Sequence, residues 1–473
     1  MWLNLLLQFA SVALLRIGLG KMWLRRPVTL LVLASAVYDG VSQVLLSFPS
    51  VATWDPYREG IQQRYIDAAA LLMSAGMLAF TIAYLLTGTA RRDAPLRGDD
   101  AAIAARVLDW RLLAFACAPL AVLTYRGRGF NSSVATGGAT PLTASLAAQF
   151  FALLVVLAAF GFVLRHGAQW FLPTLMVQSV LLAATGERGP VITDAIVLVL
   201  LLARVARGPS GMQMTTAALL TATAVVAIVG VRTQEGRVAF SADSGLGSRM
   251  TALAGGLPGL GGAPASAAEA GGPGTIAQDA SRLDGVAFTG AILQGENLGD
   301  SRLDAVGIPE SLLIAVPSAA WPSKLAHAAA LDPVQAETDG FGLQQINFLP
   351  GFAGLYAGFL PAPWLVVFLT ALGAAWGWGE RLLLRAQTPA RLVLLAGAIA
   401  AALRFEQGVP GMLVTLRTAA VIAVIAVLTP RMRNIFRARA SIEEGQDCGR
   451  GDPGRWWWLR PDAYRPAHTG SEH

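Results

Sequence analysis

Apolar runs of about 16 to 23 residues, each nearly free of charge, recur along most of this chain. A run of that length matches a hydrocarbon core of roughly 30 Å at about 1.5 Å of helical rise per residue. Inside lipid the backbone must satisfy its own hydrogen bonds, so such runs fold as helices. A soluble protein would have to bury all of these all-round apolar helices in one core. Of the 473 residues, 54% are hydrophobic and only 14% charged, where a soluble domain carries about a quarter charged residues. The expected fold class is an all-α integral membrane protein of about 11 transmembrane helices, with one large extracytoplasmic loop containing short helices.

The spans centre in 2–15, 27–48, 66–88, 110–125, 143–164, 168–186, 190–206, 214–231, 362–378, 390–403 and 409–429. The first has no basic residues before it, and Arg16, Lys21, Arg25 and Arg26 follow it. A cleavable signal peptide has the opposite charge order, so an uncleaved anchor with its N-terminus outside is expected. Alternate connections then lie inside, and they carry Arg91, Arg92, Arg97 and Arg106, then Arg165, Arg204 and Arg207, then Arg381 and Arg385. Short outside loops hold fewer cations: Arg58, Arg64, Arg126, Arg128, Arg188 and Arg404. This is the positive-inside pattern, and a miscounted span would reverse it.

Four regions follow. Residues 1–231 carry helices 1–8, and 232–361 form the large extracytoplasmic loop. Residues 362–429 carry helices 9–11, and 430–473 form a basic cytoplasmic tail. Within the loop, 244–275 is Gly/Ala-rich and expected to be flexible, because such a composition buries too little apolar surface to offset chain entropy. The segment 341–360 is open to reading as a further span or as a re-entrant piece. The tail holds Trp456, Trp457 and Trp458, suited to the headgroup level of an anionic inner leaflet.

Cys117 lies in an apolar run and Cys448 in the tail, and the four histidines are isolated, so no disulfide framework and no metal site is signalled. The net charge of +6 is a topology signal rather than a nucleic-acid footprint. Charges within spans cost about 2.5–3.5 kcal/mol each at mid-membrane on insertion scales. Asp39, Asp194 and Arg417 therefore each need a partner or a hydrated cavity. The segment Thr185-Gly186-Glu187-Arg188-Gly189-Pro190 sets an arginine beside a helix start at the outer mouth, favourable for an anion such as a diphosphate. Arg232, Arg282, Arg302, Lys324 and Arg404 face the same side on this topology.

Three places resemble the O-antigen and oligosaccharide repeat-unit polymerases of the Wzy type. Gly186-Glu187-Arg188-Gly189-Pro190 is similar to that family's Gly-Ser-Arg-Gly pattern. The segment from Ile314 through Pro317, Trp321 and Pro322 to Lys324 resembles its Ile-Pro-Arg…Trp-Pro-x-Lys stretch. The segment Phe348–Phe359, followed by a Gly-rich span, resembles the return of the family's outer loop to the membrane. Glu187 stands where Ser is usual, and Ser318 where an Arg is expected, which leaves an outer-loop phosphate contact to Arg282 or Arg302.

The resemblance implies a metal-independent membrane glycosyltransferase of the GT-C type, with no cofactor. It would transfer a glycan from an undecaprenyl-diphosphate carrier to a lipid-linked repeat unit on the outer face of the bacterial inner membrane. It implies catalytic roles for Arg188, Glu187, Arg232 and Asp284, and substrate-binding roles for Arg282, Lys324, Trp321, Tyr356, Arg404 and Arg417. Glu187, Asp284 and Glu406 are the carboxylates open for activating the acceptor hydroxyl. The implied partners are a polyprenyl-diphosphate-linked oligosaccharide, the lipid bilayer, and chain-length regulator or flippase proteins, with no nucleic acid. An O-antigen-type ligase, for which His327 is the one histidine of the long loop, and a lipid-linked oligosaccharide flippase or transporter are the alternatives.

Overall fold

The first helix, α1 (Trp2–Leu19), is built inside out. It buries Asn4, Gln8 and Ser11 and exposes Trp2, Leu3, Leu6, Phe9 and Ile17. Apolar side chains outward and polar ones inward suit a helix whose outer face meets lipid. The computed structural model to which it belongs describes residues 2–45, 60–88, 109–127, 142–185, 188–204, 210–231, 246–256, 285–316, 321, 333–343, 351–385, 388–405 and 408–447. No strand occurs among them.

After α1 come α2 (Pro27–Ser35), a π-helical segment Ala36–Val41, α3 (Ser42–Leu45) and α4 (Gln63–Thr87). Then follow α5 (Trp110–Gly127), α6 (Leu142–His166), α7 (Phe171–Ala183), α8 (Arg188–Arg204) and α9 (Gly211–Val231). The inter-span region supplies α10 (Leu246–Gly256), α11 (Gly285–Leu298), α12 (Gly307–Leu312), α13 (Pro333–Gly340) and α14 (Gly351–Gly354). The chain continues with α15 (Ala362–Arg385), α16 (Thr388–Leu403) and α17 (Gly408–Asp447).

Each of the eleven apolar stretches is thus built on a helix. Among the described residues, five helices are long and apolar enough to cross a membrane: Trp2–Leu19, Gln63–Thr87, Ala147–His166, Ala362–Leu383 and Gly408–Leu428. The others that qualify as apolar are shorter, among them Pro27–Gly40 and Gly189–Ala203. The chain is an all-helical protein with membrane-length apolar helices. Exposed Trp364, near the start of α15, suits an interfacial level of a bilayer.

Contacts divide the chain into two units, Met1–Ala426 and Val427–His473. The first holds two apolar cores. One gathers α1, α2, α4, α11, α14 and α15. The other gathers α5 to α10. Residues of α16 and α17 enter both. The second unit contains the end of α17, and residues 448–473, with the three tryptophans of the tail, lie outside the described residues.

Small residues let backbones meet within the first core. Gly373 and Gly377 on α15 face α4 so closely that a Cβ on Gly373 would overlap the Phe80 carbonyl, and one on Gly377 the Thr87 hydroxyl. This is the small-xxx-small spacing by which membrane helices pack without a hydrophobic drive. On the other side of α4, the Gln8 amide donates to Ser74 Oγ at 3.1 Å, and the Ser74 hydroxyl donates to Asn4 Oδ1.

The inter-span elements dock on these bundles. Gly290 brings α11 against the backbone of Ile66 on α4. Residues 351–360 form a four-residue helix followed by turns, with Phe352 edge-on to Phe80 at 5.3 Å between ring centres. Within that segment, residues 351–359 are buried and hold a single turn of helix. Of the Gly/Ala-rich stretch expected to be flexible, the described part, 246–256, is helical and lies against α9, with Arg249 fully buried. Leu253 and Met250 dock it in the second apolar core, and Arg249 adds a polar anchor. Residues 257–275 lie outside the described residues.

Candidate functional site

The α7–α8 hairpin and the α16–α17 hairpin turn at the same end of the first unit, the end that carries the inter-span elements. The turn out of α7 is closed by Thr185, whose hydroxyl donates to the Leu182 carbonyl at 2.7 Å. Arg188 is the first residue of α8, so the hairpin sets it at this end. Two turns further along α8, Asp194 is 3% exposed, and among the described residues its Oδ2 has no hydrogen-bond partner. The positive charge acting on it is that of Arg404, just past the end of α16. The arrangement links a carboxylate of one hairpin with a guanidinium of the other.

Arg417 lies nine residues beyond the start of α17, about 13 Å along the helix axis at 1.5 Å per residue. The partner that so deep a charge requires comes from the inter-span region. Arg417 Nη1 donates to the carbonyl of Ala315 at 3.0 Å, and Nη2 lies 3.5 Å from Gln149 Oε1 on α6. Thr418 Oγ1 is also 3.5 Å from that oxygen. The segment containing Ala315 therefore descends to the level of Arg417 and is held by it. Ala315 is three residues before Ser318, the position where an arginine was expected.

Tyr356 is 1% exposed; its hydroxyl shares a hydrogen bond of 2.9 Å with Ser311, and its ring packs edge-on to Phe368. It pins α12 onto residues 351–360. Trp321 is half-buried. Arg302 is bound through two hydrogen bonds to Glu296, one of 2.8 Å between Nη2 and Oε2. Glu187, Arg232, Arg282, Asp284 and Lys324, with Glu406 and His327, lie outside the described residues. Among the described residues no group of three or more His, Cys, Asp or Glu is gathered as a metal would need.

Three features escaped the sequence reading. Arg249 donates from Nη1 to the Ala184 carbonyl at 3.1 Å and from Nη2 to the Tyr125 carbonyl at 2.5 Å. Its guanidinium also lies over the Tyr125 ring, 5.7 Å from the centroid. It thereby satisfies terminal carbonyls of α5 and α7, just before the turn that leads to Arg188. Burial pushes its guanidinium below the ordinary arginine value. At the other end of the bundle, Arg26 and Glu380 form a buried ion pair at 3.0 Å, and the Tyr84 hydroxyl donates to the second carboxylate oxygen at 2.6 Å. The π-helical segment in the second apolar stretch carries Asp39, buried and accepting from the Ser35 hydroxyl at 2.7 Å, close beneath Gly351.

Between α15, α16 and α17 runs a cavity of about 410 Å³. Its lining extends from Leu372 to Leu383 on α15, about 16 Å of helix. Glu380 is the one ionisable side chain in that lining, and α17 contributes Val409, Met412, Leu413 and Leu416. A space of this kind accepts a hydrocarbon chain and excludes ions. Comparison with family models, with curated proteins and with solved structures finds no match for this chain in any of the three.

Proposed function

We propose that this chain is a polysaccharide repeat-unit polymerase of a bacterial inner membrane, with the inter-span region on the outer face. On this reading it transfers a glycan from a polyprenyl-diphosphate carrier to a lipid-linked repeat unit. The observation that carries the reading lies on one helix. On α17, Leu416 lines the 410 Å³ apolar cavity, and the next residue, Arg417, projects about 100° around the helix toward the inter-span region. A diphosphate joined to an isoprenoid chain needs those two environments side by side.

In the reaction the bond between the sugar C1 and the diphosphate oxygen breaks, and its electron pair goes to the leaving diphosphate. The acceptor hydroxyl oxygen forms the new bond to C1 and loses its proton to a carboxylate, for which Glu187, Asp284 and Glu406 are the sequence candidates. Arg188, Arg404 and Arg417 supply cations of the kind that stabilise the growing charge on the diphosphate. Binding the lipid chain in the apolar cavity orients the carrier, which converts binding free energy into positioning.

Replacing Arg188 by Ala tests the reading in cells, with membrane insertion verified by cysteine labelling. The expected outcome is loss of long polymer with single lipid-linked units accumulating outside. Unchanged chain lengths would overturn it. The buried Arg26–Glu380 pair at the far end of the cavity favours a second reading, a flippase for lipid-linked sugars. That protein would leave units accumulating inside when disabled.

A further inference from the structure

A second, widely open cavity of about 520 Å³ lies between the start of α4 and the end of α11, with Tyr65, Glu296, Asn297, Asp300 and Arg302 set around an apolar floor of Ala68 and Leu293. We propose that it is a glycan subsite, which holds sugar rings of the substrate away from the diphosphate. The inference rests on the polymerase reading for its biological meaning, and on the cavity alone for its chemistry.

The walls are fixed by backbone geometry. α11 ends in a left-handed glycine turn: Gly299 has φ of 108°, its N–H donates to the Glu296 carbonyl at 3.3 Å, and the Asp300 N–H donates to the Gly295 carbonyl at 3.0 Å. This pair of bonds is the Schellman arrangement. It folds the chain back so that Asp300 and Arg302 face the last turn of the helix they follow. One residue later, the Leu303 N–H donates to the Gly358 carbonyl at 3.0 Å and ties this wall to residues 351–360. On the opposite wall, the Arg64 guanidinium lies 4.7 Å from the Tyr65 ring centre and donates to its hydroxyl at 3.0 Å, which holds the ring in place.

The chemistry selects among ligands. Sugars present hydroxyls that both donate and accept, and C–H faces that pack on aromatic rings. Glu296 and Asp300 offer acceptors, Arg302 offers donors, Asn297 offers both, and Tyr65 offers a ring. A diphosphate fits poorly, because the Glu296 and Asp300 carboxylates offset the guanidiniums of Arg302 and Arg64 and leave no net positive charge. A hydrocarbon chain fits poorly because it would bury the charged Glu296, Asp300 and Arg302 side chains.

The test uses the purified full chain in detergent and an array of lipid-free bacterial repeat-unit oligosaccharides of two to six sugars. The same variants, Tyr65→Ala and Asp300→Ala, are also scored for glycan chain length in cells. The expected result is binding by the unmodified chain that weakens by about tenfold or more in each variant. No binding to any lipid-free glycan by the unmodified chain overturns the subsite, as does binding unaltered by either substitution. These outcomes are distinct from failure of the polymerase reading, which would appear as unchanged polymer in Arg188→Ala cells. A variant that unfolds would lose the normal elution of the chain from a sizing column, and Tyr65→Phe, which keeps the ring, is then the control: it retains binding if the subsite stands and loses it if it does not.

Discussion

Arg26, just before α2, meets Tyr84 of α4 and Glu380 of α15 where each is buried. Removing one partner of such a pair leaves an uncompensated charge, so Glu380→Ala is expected to destabilise the protein by about 3–5 kcal/mol. Replacing both Arg26 and Glu380 by apolar residues of similar size is expected to recover most of that loss. Thermal unfolding of the single and double variants in detergent decides the point, and an undisturbed midpoint in Glu380→Ala would contradict the buried-pair account. Arg249 permits a second residue-scale prediction. A lysine cannot fork to two carbonyls, so Arg249→Lys as well as Arg249→Ala is expected to expose the 246–256 segment to limited proteolysis. Equal resistance in the variants and the unmodified chain would mean that α10 docks without its arginine.

The sequence disclosed some of these residues and hid others for physical reasons. Arg417 declared itself by the cost of a charge inside an apolar run, and its partner proved to be a backbone carbonyl far away in the chain, which carries no sequence signal. Glu380 sits beside Arg381 at the end of a span and reads as an ordinary interfacial acid. Arg249 is set among glycines and alanines that signal flexibility. Tyr356 stood in a motif-like segment, yet its hydroxyl and ring are both used in packing.

At the scale of elements, the contact of α4 with α15 depends on glycine. Gly373→Val would drive a side chain into the Phe80 carbonyl, where overpacking costs about 1–3 kcal/mol or more. Six positions along the same helix, a Cβ on Gly379 would meet nothing within 4 Å. Gly379→Ala is therefore expected to unfold with the unmodified chain while Gly373→Val unfolds earlier, and melting curves in one detergent compare them directly. If both behave alike, close backbone approach is not what holds these helices together.

The helices themselves were legible, because hydrophobic run length and helix rise speak the same language. Pro190 near the start of α8 marked where that helix begins. The π-helical segment at Ala36–Val41 was not legible, since the run Ala-Val-Tyr-Asp-Gly-Val is as compatible with a plain α-helix. Nor was the segment 341–360 decided, because an apolar segment with glycines reads equally as a short span.

For the whole molecule, the central claim joins a cationic end to an apolar cavity through α17. Filling that cavity without disturbing the backbone separates lipid binding from folding, and Gly379 offers the place, since it lines the cavity and its Cβ direction is open. Arg417→Ala removes the other half of the arrangement. The most direct measurement is glycan length after incubating a synthetic polyprenyl-diphosphate-linked repeat unit with the full chain in liposomes. The account expects a ladder of products from the unmodified protein and only single units from Gly379→Leu and from Arg417→Ala. The absence of any ladder from the unmodified protein, or equal ladders from all three, would contradict it.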